Sequence, residues 1–193
     1  MIFLCKLRQL CASFDAGVCS QMDQAVLYGV FEQKPPLAKH IVFNPAPEAA
    51  VKTLVGNYNQ VFPIQLLELY RSINGANLFW SFRSMGDTKI RIPYNLLSLY
   101  GIPLSYDRKH LEPFNISVED LNRPNGTPHS WLKFGSFRYP EDLSMAADLF
   151  VDTETEEVHA IMHGASEFVI VETWPSIDNC LCNVLDLCNS VEL

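Results

Sequence analysis

The spacing of apolar residues changes period along the chain, and the changes mark its elements. Over residues 1–39 the spacing is helical: Leu4, Leu7, Leu10, Cys11 and Phe14 share one face, and residues 22–31 continue as a second helical stretch. Pro35 and Pro36 interrupt it and mark a seam. The organisation expected is an N-terminal helical extension over 1–40 and a core domain over 45–193. A short helix follows over 47–57, with Ala50, Val51, Leu54 and Val55 apolar. Pro63 can open a helix without losing a useful N–H, and Leu66, Leu69, Tyr70 and Ile73 then recur on one face, widened by Leu67. Asn74 and Gly75 supply a left-handed stop, and Leu78, Phe79, Trp80 and Phe82 leave it as a strand over 77–82.

Residues 84–130 hold Pro93, Pro103, Pro113, Pro124 and Pro128, which rule out a long uninterrupted helix. A short capped helix over 117–121 and a turn over 123–126 are expected within them. From Trp131 the pattern becomes β. Four short strands are expected over 132–138, 148–152, 158–163 and 167–172, with tight links at 153–156 and 164–166. Loops that short make antiparallel neighbours, because a parallel crossover needs a dozen residues or more. The chain ends in a helix from Ser176, striped with Ile177, Leu181, Val184, Leu185, Cys188 and Val191. The fold class is therefore α+β: a mostly antiparallel sheet with helices packed against it, plus the N-terminal helical extension.

Composition narrows the function classes. The 193 residues suffice for one well-filled core, and 48% hydrophobic with 19% charged residues is ordinary for a globular chain. No apolar run approaches the ~20 residues that span a bilayer. Lys6 and Arg8 fall inside the first apolar stretch rather than before it, which is not the layout of an export signal. A cytoplasmic protein is expected. The net charge of −8 argues against nucleic acid or an anionic membrane as partner and suits a basic protein. The six cysteines lack a Cys-x-x-Cys pair and are expected to serve as reduced, small apolar residues, which leaves the sequons at Asn115 and Asn125 unused.

The candidate chemistry is thin. His159 and His163 share a strand face, but four strand residues separate them by ~13 Å, too wide for one metal bonded at ~2 Å. Each is expected to be solvated or partner-facing. Ser144, Ser166 and Ser176 lack a Gly-x-Ser-x-Gly elbow, and no glycine-rich phosphate loop is present. Glu141, Asp142, Asp148, Asp152, Glu154, Glu156, Glu157 and Glu172 lack calcium-loop spacing and form instead an acidic stretch. After Arg123 the only basic residues are Lys133 and Arg138. A sheet edge or hairpin tip with that field steers a cationic partner. Glu141, Asp142, Glu154, Glu156, Glu157 and His159 are accordingly the candidate partner-binding residues. The aromatic run Phe79, Trp80 and Phe82 is expected in the core.

The proline-started helix with its Asn74-Gly75 stop is followed, in order, by Phe134-Gly135, a strand ending in Asp152, a charged turn, a strand opening at Val158, and a closing helix from Trp174. This order resembles the SUKH superfamily, whose members include fungal cell-wall glucan-synthesis regulators and many bacterial immunity proteins. The similarity covers roughly residues 45–193. The first forty residues have no counterpart in the minimal domain, and the proline-rich middle is longer than usual. The motif residues carry structural roles: Gly75 a positive φ, Gly135 a strand bend, Asp152 bonds to turn amides, with Asn74 and Phe134 beside them. The resemblance implies a non-catalytic module without metal or cofactor, an immunity protein that binds and blocks a basic toxin domain, a nuclease being one such class. Two other readings remain open at this point: a regulatory scaffold that binds a cellular enzyme, and a hydrolase that uses His159 or His163 with a carboxylate.

Overall fold

A computed structural model describes residues 1–17, 25–30, 37–57, 62–84, 91–102, 130–163 and 168–190. The elements run α1 (Ile2–Ala12), β1 (Asp15–Gly17), β2 (Ala25–Val30), β3 (Leu37–Phe43), α2 (Glu48–Asn57), α3 (Ile64–Ser72), β4 (Ala76–Ser84), β5 (Arg91–Leu99), β6 (Trp131–Tyr139), β7 (Asp142–Asp152), β8 (Val158–His163), β9 (Phe168–Trp174) and α4 (Ile177–Asn189). The nine strands form one sheet in chain order, each antiparallel to its neighbours. An α+β fold with a mostly antiparallel sheet is thus what the chain adopts. Among the described residues no helix is long and apolar enough to cross a membrane.

Register explains the core. Leu78, Leu97, Phe137 and Ala147 lie in one row across β4 to β7. Ala76, Leu99, Gly135, Leu149 and Ala160 make the next, and Leu132, Val151, Val158 and Trp174 a third. Nearly all these side chains are buried in one cluster with Phe3 and Leu7 of α1, Leu66, Leu69 and Tyr70 of α3, and Leu181, Val184 and Cys188 of α4. The helices therefore cover this face of the sheet. Cys11, Cys180 and Cys188 are buried there as free thiols. Burial raises the Cys11 thiol to about 11 and Cys188 to about 12, which suits small apolar residues rather than nucleophiles.

Three helix N-termini meet and cap one another. Asp178 in the first turn of α4 accepts the Ile2 and Phe3 N–H groups of α1, Gln65 of α3 accepts the Asp178 N–H, and Glu156 of the β7–β8 turn accepts the Ile64 N–H. Each helix start exposes four N–H groups without partners of their own, so a side chain from a neighbour both satisfies a donor and fixes the docking angle. Ser176 caps α4 locally, accepting the Asn179 N–H at 3.2 Å.

The N-terminal expectation needs correction. Only α1 is helical. Within the expected second helix, Ala25–Val30 is the strand β2, paired with β3, and β3 in turn pairs with β4. Val26, Leu27, Tyr28 and Val30 favour a pleated surface once a partner strand lies alongside, and β3, the next strand along the chain, is that partner. The helix-free β5 was also not foreseen. Its Pro93 lies where β5 pairs with β4 alone, since the β6 ladder is confined to Leu97, Ser98 and Leu99. Pro93 therefore leaves the β6 ladder intact.

Asn74 and Gly75 act differently from a helix stop. The α3 helix closes at Ile73 in an extended conformation. Gly75 has φ +96°, and a Cβ there would lie 2.6 Å from the Leu99 carbonyl oxygen. The Asn74 side chain accepts the Ile102 N–H at 2.7 Å and donates to the Ile102 carbonyl at 3.0 Å. The pair clasps the end of β5 to the start of β4. The seam at Pro35 and Pro36, the 117–121 helix, the 123–126 turn, the 164–166 link, Cys19 and both sequons lie outside the described residues.

Candidate functional site

The face of the sheet turned away from the helices carries the remaining alternate positions. One row reads Asn77, Ser98, Ser136, Asp148, Ile161 and Ile170; the next reads Lys133, Phe150, His159 and Thr173. The face is thus polar over β4 to β6 and apolar from Phe150 outward. Lys133 and Asp148, across the β6–β7 pair, are joined at 2.8 Å with side chains only 12% and 16% exposed. The Lys133 ammonium also lies 5.6 Å from the Tyr100 ring centre, and the Tyr100 hydroxyl reaches Ser136 Oγ at 3.4 Å. In a largely buried pair of this kind the cost of desolvating both charges offsets much of their attraction, so its net worth to stability is small.

His159 belongs to the apolar end. It is buried, stacked on Trp131 at 4.2 Å between ring centres, and its Nδ1 sits 3.1 Å from Thr173 Oγ1. Trp131, Phe150 and Ile161 form the small cluster around it, with Phe168 packed on its edge. Burial pulls its pKa down, against the upward pull of Glu157 and Asp152. The expectation of a solvated or partner-facing histidine is therefore overturned. Its imidazole does the packing work of an aromatic ring, and its Nδ1 is bonded to a threonine hydroxyl. The side chain of His163 lies outside the described residues.

The candidate acids do not converge. Glu141 and Asp142 stand at the β6–β7 turn, while Glu154, Glu156 and Glu157 stand in the β7–β8 turn at the other end of β7. The eleven-residue strand between them rises ~3.3 Å per residue and holds the two groups roughly 30 Å apart. Several are also engaged within the fold. Asp142 Oδ1 accepts from the Ser144 N–H and hydroxyl, Asp152 Oδ1 from the Glu154 N–H, and Glu156 from α3. Glu156 further adopts φ +61°, a left-handed position that closes the turn. Glu141, Glu154, Glu157 and Glu172 are exposed. Among the described residues no group of three or more His, Cys, Asp or Glu side chains is placed to hold a metal ion.

Phe134 is fully buried, and its carbonyl accepts the Tyr100 N–H at 2.9 Å. Gly135 follows a register shift, and a Cβ there would lie 2.7 Å from the Ser98 carbonyl oxygen. The absence of a side chain at Gly135 lets β5 approach β6. The features that sequence reasoning missed are the Trp131–His159 stack and the Lys133–Asp148 pair. Both join residues at least fifteen positions apart, and only the strand register brings them together. Compared with protein-family models, curated proteins and solved structures, this chain matches none of them.

Proposed function

We propose that the chain is a non-catalytic protein-binding module, an immunity protein of SUKH type that neutralises a cognate basic toxin domain by covering it. The observation that carries this reading is the charge of the β6–α4 region. Its exposed carboxylates, Glu141, Glu154, Glu157 and Glu172, are offset by only two basic residues, and both of those are occupied. Lys133 is paired with Asp148, and the Arg138 guanidinium donates to the Leu143 carbonyl at 3.0 Å. The net potential over this region is therefore negative and attracts a cation-rich surface. The ordered sequence motifs support the SUKH assignment, and their structural roles at Asn74, Gly75, Gly135 and Asp152 agree with a family whose shared residues hold a scaffold.

The occupied His159 supports a binding role over hydrolysis. A general base works through a ring nitrogen that reaches substrate, and this ring is buried and stacked on Trp131 with its Nδ1 bonded to Thr173. The test is co-expression with the toxin domain encoded beside this gene. Survival of the host, a co-purifying complex and an affinity that falls as salt rises are the expected results. The absence of both rescue and complex would remove the immunity reading.

A further inference from the structure

The outer edge of β9 carries a run of exposed apolar residues. Val169, Ile170 and Val171 are consecutive and are 56%, 45% and 40% exposed. Register puts Val169 opposite Met162, on the helix-bearing face, and Ile170 opposite Ile161, on the other. Apolar surface thus wraps both sides of the edge. It offers itself to an adjoining strand more than to anything lying flat on the sheet. Among the described residues β9 pairs with β8 alone. Proteins usually guard such an edge with lysine, proline, inward charge or a bulge, and Phe168–Ile170 has none of these. A bulge at Val171 leaves Phe168, Val169 and Ile170 in regular ladder, with Val171 projecting beside them.

We propose that this edge is the docking strand for the partner. An extended segment in which apolar residues alternate with Lys or Arg adds to the sheet beside β9. The proposal rests on the protein-binding reading above and gives it a location. Backbone hydrogen bonds supply affinity in such an addition, and side chains on alternating faces supply selectivity. Charge selects the occupant. Residues 124–193 hold twelve acids against two bases, and Glu172 stands on β9 itself. A second copy of this chain is disfavoured by the same charge, because each copy carries −8 and a two-fold pairing of β9 edges would bring both Glu172 side chains into one interface.

A fluorescein-labelled short peptide alternating Val and Lys is the probe, with its Val/Glu counterpart as control. The expected result is saturable binding of the Val/Lys peptide only, weakened about tenfold or more by V169K/V171K. A smaller loss is expected for Glu172→Gln, whose side chain is exposed. New hydrogen-exchange protection should appear in β9 and not in β1. Equal binding to V169K/V171K would overturn the proposal, as would binding of both peptides alike. Sedimentation showing a dimer of the intact chain that V169K/V171K dissolves would assign the edge to a second copy and overturn it too. The two readings fail separately. Toxin protection that survives in V169K/V171K keeps the immunity reading and removes the edge, while peptide capture at β9 without any toxin rescue does the reverse.

Discussion

Asp178 holds the first turn of α1 with both of its carboxylate oxygens, accepting the Phe3 N–H at 2.9 Å on Oδ1 and the Ile2 N–H at 3.0 Å on Oδ2. The two residues lie at opposite ends of the chain, so a capping bond that is normally local here closes the fold. Its own N–H goes to Gln65 at 2.9 Å, which ties the third helix into the same junction.

Replacing Asp178 by Ala should cost about 1–2 kcal/mol, the ordinary worth of a cap with some added charge–dipole attraction. Asp178→Asn, which keeps one acceptor oxygen, should cost less. Urea titration measures the difference. Hydrogen exchange should show the loss concentrated in α1, and an even loss across the sheet would count against a capping role.

His40 gives the chain an acid-labile point. It is buried between Phe14 and Phe79, and its Nδ1 accepts the Phe79 N–H at 3.2 Å. That bond needs a neutral ring with its proton on Nε2, and it holds Phe79 at φ +56°, a conformation that side chains of this size rarely adopt. Burial, with Lys39 nearby, lowers the His40 pKa to about 4. The folded state therefore refuses a proton that the unfolded chain accepts near 6.5. Stability is unaffected by this group above that value and falls as pH drops from 6.5 towards 4, by up to about 3 kcal/mol. His40→Gln should flatten that part of the profile, read as the urea midpoint at pH 7 against pH 5. A profile as steep as that of the unaltered chain would show that other groups carry the acid sensitivity.

Tyr70 is buried at the centre of the core, and among the described residues its hydroxyl has no hydrogen-bond partner. An unmet buried hydroxyl is destabilising, and removing it leaves the ring packing against Phe62 intact. Tyr70→Phe should be neutral or stabilising by about 1 kcal/mol. A clear loss in thermal midpoint would reveal a bound water that the hydroxyl holds.

Glu156 combines a left-handed backbone with the cap on α3, and substitutions separate the two. Glu156→Gly relieves the backbone while losing the acceptor, and Glu156→Ala loses the acceptor and keeps the strain. The alanine variant should be less stable than the glycine one by about 1 kcal/mol. Glu156→Gln, which keeps an acceptor oxygen, should stay close to the unaltered chain. Equal stability for Ala and Gly would mean that the turn relaxes and that φ costs nothing.

Periodicity and punctuation in the amino-acid order were enough for α2, α3, β4, β6, β8 and α4, because those elements are specified by nearest neighbours. Proline and serine starts, an apolar stripe every three or four residues, and tight polar turns act within a few positions and need nothing from afar. The acidic character of the second half and the burial of Cys11, Cys180 and Cys188 were also readable there. Tertiary structure alone decided the rest. Val26 and Tyr28 became strand only because β3 lies beside them, and β5 tolerates Pro93 only because β6 stops short of it. His159 was withdrawn from solvent by Trp131 and Thr173, each more than ten residues away. The acids that look contiguous in order were parted by the length of β7. Contact between distant residues depends on register and packing, and a one-residue slip in register would have exchanged the two faces of every strand.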